Sequence, residues 1–509
     1  MSGWGRSLAA AAAGGLLFVL LATANAAGYR YGASDQAFHV PAVVHALQPE
    51  AFPRDAAMLD TQGRFMLFDD GVAAVVRWTG LSLETTFLLG YLGTTLLLWI
   101  GLVRMGWQLT ASPWAVALLG GLLTLRHRIP RTSVNSIEPY FYPRMIAFAL
   151  GVLAIGAVHR GQRSLALALV GAALMAHVTT GAWFGLLLGV ALLVLDPRLR
   201  LPAAVGTLVA MTIATWAWVQ GRLDTFVQRI DDVWLASMIA GKDSLFPGDW
   251  PWWAWLLNGA PVAGLLLIHR ARVARGEASP ADRAVMIGTC ALVAMFLLTL
   301  PLVTARMALP VQLQMSRVFW IVDLIVTLYG VALLSAWARR RGPRLLPLLA
   351  GLVILLSFVR GSYVMLVERP ARPLFRVGLP QTPWTEAMAW IARQPLDVHV
   401  LAHPGHAAMY GSSVRVAARR DVVHEETKDT AVALYARETA LRVAERRSAI
   451  GHDFHHLSAA QVEALARTYD VDYLVTAGAP LPFPERFRNG TFRIYDVRPG
   501  RRAAGAEGR

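Results

Sequence analysis

The sequence predicts an α-helical polytopic membrane protein with a small C-terminal α/β domain. Hydrophobic residues make up 55% of the chain and charged residues only 16%. This composition is not typical of soluble proteins of this length. Many apolar runs reach about 17 residues or more, the length that crosses roughly 30 Å of hydrocarbon. After residue 370 the composition changes to that of a soluble domain.

The first element is an apolar segment at 8–27, which we interpret as a retained helix. Its Ala24-Asn25-Ala26 tripeptide is also typical of a signal-peptidase site, so a cleaved signal peptide is the alternative. Either outcome places the following residues on the far side of the membrane.

A long polar stretch, Tyr29 to Asp70, follows this segment, and loops of this length are usually functional. Asp35, Gln36 and His39 lie near its start. Because positions i and i+4 share one face of a helix, Asp35 and His39 are expected to point into the same space. The alternative is a solvated helix start with Ser34 or Asp35 as the N-cap. Residues 35–48 and 69–80 are predicted to form short helices along the membrane surface.

The remaining apolar runs bring the expected number of transmembrane helices to about eleven. Residues 164–195 are too long for one crossing and short for two, and their middle is polar around His177. We therefore predict two short helices that meet at His177, where non-helical backbone must line protein or a wet cavity. The other predicted spans are 84–104, 112–125, 143–159, 201–219, 252–269, 284–304, 316–337 and 344–366.

Arginines in short connecting loops predict the topology, since they all fall on one side, the cytoplasmic side under the positive-inside rule. They are Arg160, Arg163, Arg198, Arg200, Arg270, Arg272, Arg275, Arg283, Arg339, Arg340, Arg341 and Arg344. The loops at 28–83, 126–142 and 220–251 and the C-terminus then face outward. Arg126, Arg128 and Arg131 are exceptions on the outer side: they are either merely solvated or meet an anionic group such as a phosphate.

Charge and cysteine content exclude several classes of protein. The net charge of +15 is explained by the positive-inside bias and by anionic membrane lipids, so we expect no nucleic-acid partner. The single cysteine, Cys290, lies in an apolar run and excludes both an intrachain disulfide framework and a cysteine metal cluster.

The predicted C-terminal domain covers residues 369–509 and follows a proline-rich linker, whereas residues 1–368 form the membrane domain with the outer loop 28–83. Strands that alternate with helices indicate an α/β layer structure. Asn489-Gly490 is read as a hairpin turn. The helices are predicted at 384–393, 428–447 and 458–469, and the strands at 398–402, 471–476 and 491–497.

The candidate chemistry rests on polar residues of the predicted outer face. The sequence shows no Ser-His-Asp order, HExxH or CxxC pattern, which argues against a hydrolase or a metalloprotease. Asp35 and Glu138, from separate outer loops, are the candidate catalytic carboxylates, as a base and as a ligand of a metal or an acceptor. The candidate substrate-binding residues are Gln36, His39, Arg126, Arg128, Arg131, Tyr140, Arg144 and His177.

The order of these parts resembles the GT-C superfamily of membrane glycosyltransferases. The motif-level match is Asp35 in the first outer loop; the Asp472-Tyr473 and Arg488–Tyr495 segments are similar to the tail of uncharacterised bacterial members. The resemblance implies a polyprenyl-phosphate sugar donor, Asp35 as catalytic base or acceptor-orienting group, and a bacterial inner membrane with a periplasmic C-terminal domain. A second acidic site would fall at Glu138, where no DxD pair occurs, so the need for a divalent metal stays open. Arg131 or Arg144 is expected to hold the donor phosphate.

The alternative is a non-enzymatic transporter or lipid-handling membrane protein. It predicts charges paired at the bilayer midplane and often repeated halves. The sequence shows no internal repeat, and its polar residues gather on the outer face, which favours the glycosyltransferase. A degenerate, non-catalytic member of the superfamily is a third interpretation.

Overall fold

The computed structural model describes residues 3–63, 66–221, 227–239 and 244–498. In chain order, the helices of the first half are α1 Gly3–Asn25, α2 Gln36–Leu47, α3 Ala56–Gly63, α4 Phe68–Thr79, α5 Leu83–Thr110, α6 Pro113–Thr124, α7 Pro143–His159, α8 Arg163–Ala176, α9 Val178–Leu195, α10 Arg200–Val219 and α11 Asp232–Ile239. Those of the second half are α12 Trp252–Ala274, α13 Pro280–Thr304, α14 Ala308–Gln312, α15 Val318–Arg341, α16 Leu345–Tyr363, α17 Pro383–Ala392, α18 His406–Tyr410, α19 Val414–Ala417, α20 Glu426–Ala433, α21 Arg437–Ile450 and α22 Ala459–Tyr469. The strands are β1 Tyr29–Arg30, β2 Phe375–Arg376, β3 His399–Leu401, β4 Asp421–Val422, β5 Tyr473–Thr476, β6 Glu485–Arg488 and β7 Arg493–Asp496.

The chain divides into two compact units. The helical unit comprises Met1–Tyr29, Leu89–Ile230 and Lys242–Phe375, and the mixed unit comprises Arg30–Leu88, Asp231–Gly241 and Arg376–Arg509. The division at residue 368 expected from composition grouped the outer loop 28–83 with the membrane helices. The structure instead groups most of that loop with the C-terminal residues, because its polar side chains pair with theirs.

The helical unit holds most of the apolar helices, and the protein is a multi-pass membrane protein. In the described part of the chain, six helical segments are long and apolar enough to cross a membrane. They are Leu83–Thr110, Val178–Leu195, Pro197–Val219, Pro280–Thr304, Ala308–Arg341 and Leu345–Glu368.

The expected count of about eleven crossings is therefore wrong, and about six helices meet the requirement. Helices α6 and α8 have 12 and 14 residues, which at 1.5 Å per residue reach only about 18–21 Å, short of the hydrocarbon thickness. The 23 residues of α12 are long enough, but its tryptophans, Asn258 and Pro261 make it less apolar than the six.

The predicted break at His177 is confirmed, since α8 ends at Ala176 and α9 begins at Val178. Gly181 allows this close approach: a Cβ at its position would lie 2.4 Å from the backbone nitrogen of Leu174. Helix α9 in turn packs tightly on α13, where a Cβ at Gly288 would lie 2.1 Å from the carbonyl oxygen of Leu187. Small residues at such crossings let helix backbones approach in a membrane.

The mixed unit contains a five-stranded sheet in the order β4-β3-β5-β7-β6. Strand β3 pairs parallel with β4 and β5, whereas β7 pairs antiparallel with β5 and β6. Successive strand residues enter different apolar clusters, Val400 and Ile494 one and Leu401 and Tyr495 the other, as the alternation of side chains along a strand requires. The three predicted strands are present, and the short edge strands β4 and β6 were not predicted.

Two further predictions concern the helices and turns of this unit. The predicted surface helices 35–48 and 69–80 correspond to α2 and α4. The predicted helix 428–447 is wrong, because α20 ends at Ala433 and α21 begins at Arg437. The indole of Trp234 donates to the carbonyl oxygen of Ala433 at 2.6 Å and so takes a backbone acceptor that a continuous helix would use. The Asn489-Gly490 turn joins the antiparallel strands β6 and β7 as expected.

Candidate functional site

Asp35 lies at the end of a tight turn that precedes α2. Gly32 has a φ of +72°, and a Cβ there would lie 2.6 Å from Cγ1 of Val416, so the turn requires glycine. The Gly32 backbone nitrogen donates to Oε1 of the fully buried Gln36 at 2.9 Å. Gln36, proposed to bind substrate, therefore uses its amide oxygen to close the turn that presents Asp35.

The carboxylate of Asp35 pairs with a lysine from the C-terminal part of the chain. Asp35 is the N-cap residue of α2, as the alternative interpretation expected, but its side chain makes no capping hydrogen bond. Its Oδ1 instead accepts from Nζ of Lys428 at 2.6 Å. The Asp35 side chain is 33% exposed and that of Lys428 only 9%. The carboxylate is thus fixed from the protein side and remains reachable from solvent.

A buried carboxyl lies next to Lys428 in the chain. Glu425 is fully buried, and its Oε1 accepts from the Lys428 backbone nitrogen at 3.2 Å, which caps α20. Its Oε2 has no hydrogen-bond partner in the described part of the chain. Burial, together with the negative charge of Asp429, raises the pKa of Glu425 to about 7.

A buried ionic cluster of Arg415, Asp55, Asp429 and Arg442 supports this region. Arg415 is 1% exposed; its Nε donates to Oδ2 of Asp55 at 2.7 Å and its Nη1 to Oδ1 of Asp429 at 2.7 Å. Arg442 donates to the other oxygen of Asp55. Burial alone would raise the pKa of Asp55, but the charges of Arg415 and Arg442 outweigh it and hold the pKa at about 2. Both carboxylates are therefore ionised and bonded, as a buried charge requires.

His39 pairs with an acid other than the expected one. Its Nδ1 lies 3.4 Å from Oδ1 of Asp69, and its ring meets the edge of the Phe68 ring at 5.2 Å. His39 is 6% exposed. The expected i to i+4 contact with Asp35 is therefore replaced by a contact between α2 and α4, and the imidazole joins these two helices.

In the helical unit, the loop between α6 and α7 is fixed by backbone and side-chain hydrogen bonds. Arg128 bridges Asn135 in antiparallel fashion, and the Ser136 nitrogen donates to the His127 carbonyl at 2.8 Å. The Trp320 indole of α15 donates to the Ser136 carbonyl at 3.1 Å. The loop therefore presents its side chains from a defined backbone.

Glu138, the predicted catalytic acid of this loop, binds Arg144, one of the predicted substrate-binding arginines. Nε and Nη2 of Arg144 donate to Oε2 of Glu138 at 2.9 and 2.6 Å. The Arg144 guanidinium also lies 4.8 Å from the ring centroid of Tyr142, and Tyr142 stacks on Tyr140 at 5.3 Å. A substrate phosphate at Arg144 would thus share the guanidinium with Glu138.

The remaining predicted residues have these environments. Nε of Arg126 donates to the Ile137 carbonyl at 3.2 Å. Arg131 has a left-handed φ of 54° and lies over the Trp253 ring at 5.5 Å. The ring of His177 accepts from the Thr180 backbone nitrogen at 3.3 Å and so caps α9.

Sequence reasoning missed Lys428, Glu425, Asp429 and His127. The first three belong to the polar run 424–429 that follows a buried strand, which is a visible signal. The pairing of Lys428 with Asp35, 393 residues earlier, and the link from Asp429 through Arg415 to Asp55 are not encoded locally. His127 bonds Oδ1 of Asp323 at 3.1 Å, and this bond raises the pKa of His127. Among the described residues, no group of three or more His, Cys, Asp or Glu side chains is placed to hold a metal ion.

Among solved structures the chain has a distant likeness. No protein-family model and no curated protein matches the chain. A solved structure, the archaeal oligosaccharyltransferase AglB from Archaeoglobus fulgidus in complex with an inhibitory peptide and a dolichol-phosphate, is similar with a TM-score of 0.48 and 11% identity, over 92% of this chain and 69% of that one.

Proposed function

We propose that the protein is a membrane glycosyltransferase that moves a sugar from a polyprenyl-phosphate donor to an acceptor at the outer face of the bacterial inner membrane. The observation that carries the proposal is the Asp35–Lys428 pair, in which a partly exposed carboxylate is held by a nearly buried ammonium. It lies where the GT-C resemblance expects the acidic group, in a multi-pass membrane protein.

In the proposed reaction, Asp35 orients the acceptor hydroxyl and accepts its proton as the oxygen attacks the anomeric carbon of the sugar. The bond from that carbon to the donor phosphate breaks, and the phosphate leaves with the electron pair. The ammonium of Lys428 favours the ionised carboxylate, since a nearby cation stabilises the charged form of an acid.

The leaving phosphate gains negative charge, which fixed cations stabilise. We propose Arg131 or Arg144 for this role; Arg144 also binds Glu138. Gln36 and His39 act in this scheme by holding the backbone around Asp35. The proposed contribution of Glu138 is to orient Arg144.

The transporter alternative predicts charges paired at the bilayer midplane. The buried pair of Arg272 and Asp282 lies instead at helix ends, because Arg272 is in the last turn of α12 and Asp282 in the first turn of α13. This placement favours the enzyme proposal.

The proposal is tested by Asp35→Asn in membranes supplied with a lipid-linked sugar donor. Because the amide is nearly the same size and cannot act as a base, turnover should fall by ~10²-fold, the usual worth of a general base, at unchanged protein level. Asp70→Asn, on the exposed face of α4, is the matched control and should keep full activity. Full activity of the Asp35→Asn protein would remove Asp35 from the reaction.

A further inference from the structure

A polar cavity of about 380 Å³ lies at one end of the helical unit. It is found where α5, α7, α9 and α12 end and α8 and α13 begin, and it is lined by His159, Arg163, Arg272, Glu277 and Asp282 among others. Its volume is within the range of sites for small ligands, about 300–1,000 Å³. The reaction proposed above uses none of these side chains.

One wall of the cavity is a closed hydrogen-bond network around Asp282. Its Oδ2 accepts from Nη2 of Arg272 at 3.1 Å and from the Ser279 backbone nitrogen at 2.8 Å. Its Oδ1 lies 3.1 Å from Nε2 of His159. Both oxygens of Asp282 are thus engaged, and the network holds Arg272 in place.

Two polar atoms of the lining residues are left over. In the described part of the chain, Nε of Arg272, a donor, and Oε2 of Glu277, an acceptor, are buried without a hydrogen-bond partner. Arg272 is 4% exposed, and the other oxygen of Glu277 accepts from Arg340 at 3.3 Å. Buried polar groups nearly always have a partner. Since one atom needs an acceptor and the other a donor, a single ligand that satisfies both must carry both kinds of group.

The position of the cavity indicates which chemical groups this ligand carries. The ends of membrane-spanning helices lie at the level of the lipid headgroups, and the surrounding loops carry the arginines that the positive-inside rule assigns to the cytoplasm. Basic pockets between helices on that side bind phosphate-containing headgroups. A phosphate would accept from Arg272 and from Arg163, whose guanidinium also binds Asp196, and a primary ammonium would donate to Glu277.

We propose that this cavity binds the phosphoethanolamine headgroup of an aminophospholipid, a site independent of the proposed glycosyl transfer. A choline headgroup has no N–H to donate to Glu277. A glycerol headgroup has no positive charge to set against this carboxylate. The cavity therefore distinguishes phosphatidylethanolamine from phosphatidylcholine and phosphatidylglycerol.

The experiment measures lipid retention by native mass spectrometry on the purified full-length protein, with the three lipids offered in equal amounts. The wild type should retain phosphatidylethanolamine preferentially. Glu277→Gln should reduce this preference roughly tenfold, because glutamine keeps an acceptor oxygen but loses the negative charge that strengthens the hydrogen bond from an ammonium. Glu368→Gln, an exposed acid of the same unit, should leave the preference unchanged, and tryptophan fluorescence verifies that both variants are folded.

Equal retention of phosphatidylethanolamine and phosphatidylcholine by the wild type would overturn the proposal, as would an unchanged preference in the Glu277→Gln protein. Soluble glycerophosphoethanolamine forms a further arm. If it competes as well as the lipid at equal concentration, the headgroup chemistry is supported and its source is a soluble molecule; if it competes only weakly, the source is the membrane.

Discussion

At the scale of single residues, the candidate site depends on a few charges whose partners are distant in sequence. The sequence analysis chose Asp35 as a candidate catalytic acid and expected its carboxylate to cap a helix or to lie near His39. In the structure, Asp35 binds Lys428 and His39 contacts Asp69. Neither pairing follows from helical spacing, because each joins separate elements.

Lys428 is expected to act on turnover through Asp35. Lys428→Met should lower turnover about tenfold and shift the acid limb of the pH–rate profile to higher pH, since a carboxylate that loses a neighbouring cation is protonated more easily. Lys428→Arg should keep most of the activity because it keeps the charge. The measurement is a pH–rate profile in membranes with matched protein levels.

Arg437→Met is the control for Lys428→Met, because it removes an exposed ion pair of the same unit, with Asp231, and such pairs contribute little. It should leave the profile unchanged. A Lys428→Met protein with reduced stability but an unshifted acid limb would show a structural role only.

Glu425 should make the stability of the protein fall as the pH rises. Its pKa is about 7 in the folded protein against an ordinary value of 4.5, so between these values the folded state keeps a proton that the unfolded state has lost. The contribution of this group to the free energy of unfolding is complete below about pH 4.5 and is lost as the pH rises through 7. Glu425→Gln should therefore raise the melting temperature relative to wild type more at pH 8 than at pH 5.

Thermal unfolding of the purified protein, followed by tryptophan fluorescence at both pH values, measures this difference. Glutamine keeps the acceptor that caps α20, so the capping bond is preserved. Glu426→Gln, the partly exposed neighbour, is the control and should show a difference that is the same at both pH values. An equal effect of Glu425→Gln at pH 5 and pH 8 would contradict the raised pKa.

At the scale of elements, apolar runs and proline positions predicted where most helices begin and end, and the polar break at His177 was visible for the same reason. The number of membrane crossings could not be predicted in this way, because an apolar run of 12–17 residues does not show whether its helix reaches both faces of the membrane. The split between α20 and α21 could not be predicted from the sequence either. It depends on the indole of Trp234, nearly 200 residues away, which no local pattern reveals.

The contact of α9 with α13 gives a prediction about helix packing. Gly288→Ala would place a methyl group 2.1 Å from the carbonyl oxygen of Leu187, so the helices must move apart, at a cost of about 1–3 kcal/mol. The melting temperature of the purified protein should fall. Gly189→Ala on α9 meets no atom within 4 Å and should not lower it, because alanine favours the helix over glycine. Equal melting temperatures for the two variants would show that the contact is looser.

At the scale of the whole molecule, hydropathy predicted a membrane protein with a different C-terminal part, and both are present. It did not predict that residues 30–88 and 231–241 belong to the same compact unit as the C-terminal residues. Composition separates segments along the chain, whereas buried ion pairs such as Asp55–Arg415 join segments that composition keeps apart.

The arginine distribution makes a prediction for the topology of the chain. An alkaline phosphatase fused to the C-terminus should be active, because the arginine-rich loops are retained in the cytoplasm and the C-terminal residues then lie outside. A fusion directly after Arg341 should be inactive and serves as the internal control. The reverse pattern of activities would invert the topology and move Asp35 to the cytoplasmic side.

The pairing of Asp35 with Lys428 also has a consequence for the synthesis of the chain. The two residues are 393 positions apart, so at about 5–20 residues per second Asp35 waits roughly 20–80 s for its partner to leave the ribosome. Asp55 waits almost as long for Arg415, 360 positions later. A chain whose synthesis stops in this interval lacks the cations that bind these two carboxylates. The mixed unit then cannot fold completely. Completion of the mixed unit therefore coincides with the last fifth of translation.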